Sequence, residues 1–203
     1  MRAMSIRGNA VAATVLVFMA ARGEAQRVAG PSPSNTIPAP VALDTTGLFL
    51  AKFSKVGDDM FIAGQPTERG LREMKARGVT TVVNLRSPEE MTKSVSFDEA
   101  ALVKQLGMKY VYIPVRGTPE FPYSPAAVKT FADAMSSADG KVLLHCTIAW
   151  RASHLWAAYL IQERHVPVND ALASARMINL MDNTRIGGDQ QPLEQFLGRT
   201  VPE

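Results

Sequence analysis

The chain has 203 residues, 46% of them hydrophobic, which suffices for one domain with a full core, and no internal repeat is visible. Its formal net charge is +3, with no lysine/arginine stripe interleaved with aromatics, so a nucleic-acid surface is not expected. A single cysteine, Cys146, excludes an intramolecular disulfide and leaves a zinc site without thiolate partners. No His/Asp/Glu cluster has ligand spacing either, so neither a metal nor an organic cofactor is expected.

Residues 1–25 read as a secretory signal. Arg2 and Arg7 give a basic start, and Ala10 to Ala21 form an apolar run too short to span a bilayer comfortably. Gly23 and Ala25 then offer small residues at a cut before Gln26. The expected product is exported, periplasmic or secreted. Removing the leader takes away three arginines and one glutamate, so much of the basic balance belongs to it. Residues 26–47, rich in Pro, Ser, Ala and Thr, read as a flexible tether. No later apolar run is long enough for a membrane helix.

The folded domain is expected over residues 48–203. Strands are predicted at Phe53–Val56 and Met60–Gly64, then a helix at Glu68–Arg77 with Thr67 as N-cap and Gly78 as stop. The β-branched run Val79–Leu85 suits a buried parallel strand. Glu89 and Glu90 are expected to cap a helix after Asn84-Leu85-Arg86-Ser87-Pro88. A further helix is expected at Phe97–Leu106, and a strand at Lys109–Val115. The prolines of Arg116–Tyr123 keep that stretch a loop. Ser124 and Pro125 open a helix to about Ser137. Lys141–Cys146 is a short apolar strand, followed by helices at Arg151–Arg164, Asn169–Leu180 and Pro192–Leu197. Strands alternating with helices imply an α/β domain, with a mainly parallel central sheet flanked by helices on both faces.

The chemistry concentrates in one strand–loop–helix. Cys146 ends an apolar strand, where open α/β sheets bind their ligands. The loop Thr147, Ile148, Ala149 and Trp150 offers backbone N–H groups, and the following helix aims its positive end at the same place. Arg151 adds a guanidinium able to hold a tetrahedral oxyanion through two donors. These surroundings favour thiolate, the nucleophilic form. His145, facing the other way from Cys146, is expected to orient backbone rather than act as a base. His154, one turn after Arg151, reads as a helix-surface or core-edge histidine, and Asp182, Asn183 and Arg185 as turn chemistry.

His-Cys-Thr-Ile-Ala-Trp-Arg, with upstream Phe-Ile-Ala-Gly-Gln-Pro and Val-Val-Asn-Leu-Arg, resembles the bacterial branch of the cysteine-dependent protein tyrosine and dual-specificity phosphatases. Members of that branch occur alone, beside β-lactamase-like hydrolases or fused to NAD kinases. The resemblance runs from about Phe53 to Ile161. It implies a dual-specificity phosphatase-like fold, Cys146 as the nucleophile that becomes phosphorylated, Arg151 as phosphate ligand, Arg86 bordering the pocket and Gln65 as structural. The implied substrate is a phosphorylated small molecule or protein.

The chain also departs from the family pattern. Four residues separate Cys146 from Arg151 where five are usual, a length shared with rhodanese-type sulfurtransferases. Ala149 stands where a glycine is common and would be strained at positive φ. Trp150 is expected to add bulk at the mouth, and Ala152 replaces a hydroxyl residue. The family's acidic residue falls at Gly117, leaving Glu120 as the candidate proton donor. Three readings follow: phosphomonoester hydrolysis, sulfur transfer through a Cys146 persulfide, or anion binding without turnover.

Overall fold

The computed structural model describes residues 37–180 and 192–201. The expected leader, residues 26–36 of the tether, and Asp182, Asn183 and Arg185 lie outside these residues. A six-stranded sheet has the order β1-β2-β3-β6-β4-β5. Its strands are β1 (Val41–Ala42), β2 (Phe53–Val56), β3 (Met60–Ala63), β4 (Val79–Asn84), β5 (Lys109–Tyr112) and β6 (Lys141–His145). β3, β6, β4 and β5 run parallel, while β1/β2 and β2/β3 pair antiparallel, so the sheet is mixed.

β1 falls inside the stretch expected to be a tether. Strand β2 presents an open ladder edge, and the proline-rich chain satisfies it: Val41 and Ala42 pair with Lys55 and Ser54, and Leu43 N–H donates to Phe53 O. β5 ends three residues earlier than expected. Even so, Ile113 and Val115 N–H still donate to Asn84 and Leu85 carbonyls, which keeps the exit of β5 beside that of β4.

Helices cover both faces. On one lie α1 (Glu68–Ala76) and α3 (Glu99–Gln105), preceded by the short α2 (Pro88–Ser94). Leu71, Met74, Leu102 and Val103 pack there on Phe61, Val82 and Leu143. On the other lie α4 (Pro125–Ser136), α5 (Trp150–Gln162), α6 (Val168–Ile178) and α7 (Pro192–Leu197). Val128, Phe131, Leu155 and Phe196 pack there with Ile62, Val83 and Leu144. Alternation along each strand splits neighbours such as Leu143 and Leu144 between the two cores. Thr67, Ser87, Asp98 and Ser124 cap α1 to α4 through their side-chain oxygens.

Helix α5 differs from the rest. All of its residues except Gln162 are buried, as expected of a helix packed on every side. Burying one side chain such as Leu155 contributes roughly 2–3 kcal/mol. Because β6 sits between β3 and β4, the chain reverses its winding there. The loops leaving β6 and β4 therefore diverge at the carboxyl edge of the sheet, where open α/β sheets bind their ligands. Among the described residues no helix is long and apolar enough to cross a membrane.

Candidate active site

Cys146 follows β6 directly and is 1% exposed, on the α5 side of the sheet. The next three peptide planes are each held by their carbonyl. Thr147 O accepts from Gln65 N–H at 3.1 Å, Ile148 O from Asn179 Nδ2 at 2.7 Å, and Ala149 O from Ser153 N–H at 2.9 Å and Ser153 Oγ at 2.8 Å. In a trans peptide the N–H points opposite to the carbonyl. Pinning those carbonyls outward therefore turns the N–H groups of Ile148, Ala149 and Trp150 toward the inside of the loop. Ala149, the N-cap of α5, gives it no side-chain cap and sits at φ +66°. The strain foreseen for an alanine in this loop is present. The helix thus brings uncapped N–H groups and its positive end to a buried site, an arrangement suited to an anion.

Gly64 makes the close approach possible. A Cβ there would lie 2.4 Å from Ala51 O and 2.9 Å from Thr147 O, so only glycine lets this backbone pass behind the loop.

Arg151 reaches the same place from the first turn of α5, with a side chain only 10% exposed. Nη1 donates to Val115 O at 2.8 Å, Leu85 O at 3.2 Å and Glu90 Oε2 at 2.9 Å. Nη2 donates to Glu90 Oε1 at 2.6 Å and Thr147 Oγ1 at 2.9 Å. Thr147 Oγ1 in turn donates to Glu90 Oε1 at 2.8 Å, closing a ring. Burial alone would lower the pKa of Arg151, but the Glu90 carboxylate and the charge of Cys146 outweigh it and raise it.

Glu90 is the residue that sequence reasoning placed only as a cap. It does complete a capping box with Ser87 at the start of α2, its Oε2 accepting from Ser87 N–H at 2.9 Å. The same carboxylate forms the bidentate pair with Arg151. Arg86 Nε and Arg116 Nη1 approach it to 3.9 and 3.8 Å. Burial would raise its pKa, yet hydrogen bonds from Arg151 and the Ser87 amide, the Arg151 charge and the Thr147 hydroxyl bring it to about 2. It is therefore held ionised and cannot serve as a proton donor near neutrality. The capping spacing was the only local signal for this residue; the pairing spans 61 positions and leaves no pattern in the chain.

Arg86, expected to border the pocket, is 2% exposed and lies against Glu90. Its Nη1 donates to Gln65 Oε1 at 2.6 Å and its Nη2 to Glu90 O at 3.1 Å. Trp150, expected at the mouth, is only 8% exposed and packs its ring against His154, with centroids 4.5 Å apart and planes tilted by 60°. As the first residue of α5 it is turned inward by the helix, and Ile148, 44% exposed, is the loop residue at the surface. His154 is buried too, its Nδ1 2.9 Å from Trp150 O, and burial lowers its pKa.

The loop after Val115 is a closed turn: Arg116 and Gly117 N–H donate to Phe121 O, and Phe121 N–H to Thr118 O. Gly117 has φ +77°, and a Cβ there would meet the Tyr123 ring at 2.8 Å. An aspartate at this position would need both a left-handed backbone and the space Tyr123 fills. Tyr123 packs against Phe196, with centroids 5.1 Å apart, and burial raises its pKa to about 12. Glu120 stands exposed on this turn.

On the α3 side of the sheet, His145 Nε2 lies 3.0 Å from Glu99 Oε1. Glu99 also accepts from Gln65 Nε2 at 2.5 Å, Asn84 Nδ2 at 3.0 Å and Tyr110 OH at 3.1 Å. Burial opposes its ionisation, but His145 and the hydrogen bonds together lower its pKa. Gln65 thus couples this network to the loop through Thr147 and to Arg86, which gives its expected structural role a concrete form.

With this geometry in view, the similarities to known proteins have a physical reading. Residues 52–164 match the family model for the phosphatase-like domain of beta-lactamase hydrolase-like protein, more than half of the chain. Beta-lactamase hydrolase-like proteins of Xylella fastidiosa (strain Temecula1) and Agrobacterium fabrum (strain C58) are 30% and 29% identical over 107 and 106 residues. Each match covers 52% of this chain but only 24% of the relative. A DUF442 candidate phosphatase from Shewanella putrefaciens CN-32 is 28% identical, with TM-score 0.56 over 76% of this chain and 92% of that one. P. aeruginosa TpbA in complex with pTyr is 16% identical, with TM-score 0.52 over 68% of this chain and 77% of that one, a likeness of fold alone. The fold is that of the protein tyrosine and dual-specificity phosphatases, and the chain belongs to the phosphatase-like domain family of the beta-lactamase hydrolase-like proteins.

Proposed function

We propose that the domain hydrolyses phosphate monoesters through a cysteinyl-phosphate. The Cys146 thiolate attacks phosphorus in line, forming a P–S bond as the P–O bond to the leaving group breaks. Water then attacks phosphorus, releasing orthophosphate and regenerating the thiolate. The loop amides hold the non-bridging oxygens, where charge concentrates in the transition state, and Arg151 adds its positive charge there, its Nη hydrogens being engaged by Glu90, Thr147, Leu85 and Val115. The convergence of inward-turned amides, the amino end of α5 and Arg151 on one buried cysteine carries this reading.

Proton donation to the leaving oxygen is the weak part of the machinery. Glu90 is held ionised, position 117 has no carboxyl, and Glu120 is exposed. Aryl phosphates, whose leaving groups need less help, are the favoured substrates, phosphotyrosine among them; the pTyr complex of the TpbA neighbour is consistent with this. The signal-like residues 1–25 support an exported protein, which cell fractionation with an epitope tag would test.

The test is hydrolysis of para-nitrophenyl phosphate by the full chain beside Cys146→Ser. Turnover that falls more than about a thousandfold in the variant supports the proposal. No turnover above the variant overturns it. The four-residue loop favours sulfur transfer as the second reading, to be tested by thiosulfate–cyanide exchange. Orthophosphate binding that Arg151→Ala abolishes, without either activity, would mark an anion-binding domain.

A further inference from the structure

Two observations on one peptide unit combine. Ala149 is held at φ +66°, in the left-handed region that a residue with a Cβ adopts at a cost. The carbonyl of the same peptide, Ile148 O, accepts its hydrogen bond from Asn179 Nδ2, 31 positions away just past the end of α6. Turning the Ile148–Ala149 peptide over by half a revolution would bring φ of Ala149 to negative values and relieve the strain. It would also swing Ile148 O to the side that the Ala149 N–H faces, putting a carbonyl dipole where an anion must sit. The relaxed backbone is thus the form that rejects an anion, and the strained one the form that accepts it.

The neighbouring peptides are secured by the fold itself. Thr147 O is tied to the Gln65 amide behind Gly64, and Ala149 O lies within the first turn of α5. The Ile148 carbonyl alone among the three is held by a side chain with no backbone donor beside it. Resting on the anion-site reading above, we propose that Asn179 is a positioning residue that latches the Ile148–Ala149 peptide in its anion-accepting orientation. It touches neither nucleophile nor phosphate. Its effect is on the fraction of molecules whose cradle is open, and apparent affinity scales with that fraction.

Orthophosphate affinity by calorimetry, and kcat and KM for para-nitrophenyl phosphate, should be measured on the full chain. The comparison is between Asn179→Ala, Asn179→Asp and the double variant Asn179→Ala/Ala149→Gly. Both single variants lose the donor, and the aspartate keeps the shape should alanine fail to fold. The expected result is phosphate binding weaker by about tenfold. KM should rise more than kcat falls, because bound phosphate itself favours the open form. Glycine carries no left-handed penalty, so the double variant should recover most of the lost affinity, which a general loosening of α6 would not allow. Phosphate binding within twofold of wild type in both single variants would overturn the latch, as would a double variant no better than Asn179→Ala. Wild-type protein that neither binds phosphate nor turns over substrate would remove the cradle, and both proposals with it.

Discussion

His145 and Cys146 are adjacent in sequence but serve opposite faces of the sheet, and the two faces are finished differently. Around His145, Glu99 accepts from Gln65, Asn84 and Tyr110 as well as facing the imidazole, in a pocket closed to solvent. Around Cys146, the amino end of α5 lacks a side-chain cap, and the loop carbonyls are tied back so that amides face inward. A network that gathers several donors on one buried carboxylate rigidifies, even with His145 Nδ1 left without a partner, whereas uncapped amides recruit a ligand. The contrast teaches that the closed side holds β3, β4, β5 and α3 in register so that the open side can keep its donors free. Glu90 belongs to the open side but carries the closing role there, balancing Arg151 while leaving the amides alone.

That contrast can be broken from the closed side first. Glu99→Leu would strand His145, Asn84, Gln65 and Tyr110 in a dry pocket and should destabilise the domain by about 3–5 kcal/mol in urea unfolding. Destabilisation below about 1 kcal/mol would mean that the network does not support the sheet. On the open side, Arg151→Lys keeps the charge but loses the planar fork. It should lower kcat/KM for para-nitrophenyl phosphate by about 10²–10³ with a much smaller change in stability. A large loss of stability with activity preserved would reverse the assignment of the two faces.

Glu90 sharpens the comparison through pH. Its carboxyl titrates at about 2 in the folded chain against an ordinary 4.5. The folded state therefore binds fewer protons than the unfolded state between those values, and stability rises with pH across them. The contribution, roughly 3 kcal/mol, is complete above the unfolded value and lost as pH falls from 4.5 toward 2. Glu90→Gln should unfold at similar urea concentrations at pH 3 and pH 6 after common shifts are subtracted, and wild type should not; parallel losses in both proteins would show that the pair with Arg151 is weak. The smallest expected effect is Glu120→Gln, which should leave para-nitrophenyl phosphate turnover within about twofold. A loss of 10² or more, the usual worth of a proton donor, would make Glu120 the acid that the closed turn conceals.

What the sequence by itself determined is what local chemistry controls. Cys146 at a strand end, four loop residues and Arg151 at a helix start lie within one contiguous segment, so their convergence was legible. Thr67 and Ser124, with Pro125, declared their helix starts, because a cap acts over three residues. The hydrophobic runs at β4 and β6 identified the buried strands. Only the tertiary structure decided the rest. Trp150 is turned inward by the phase of α5, which the loop length alone did not reveal. Glu90 meets Arg151 across 61 positions, and Asn179 reaches Ile148 across 31, because sheet order and helix packing bring them together. No periodicity records such a meeting: a carboxylate that caps one helix and anchors an arginine on another has the same local sequence as one that only caps.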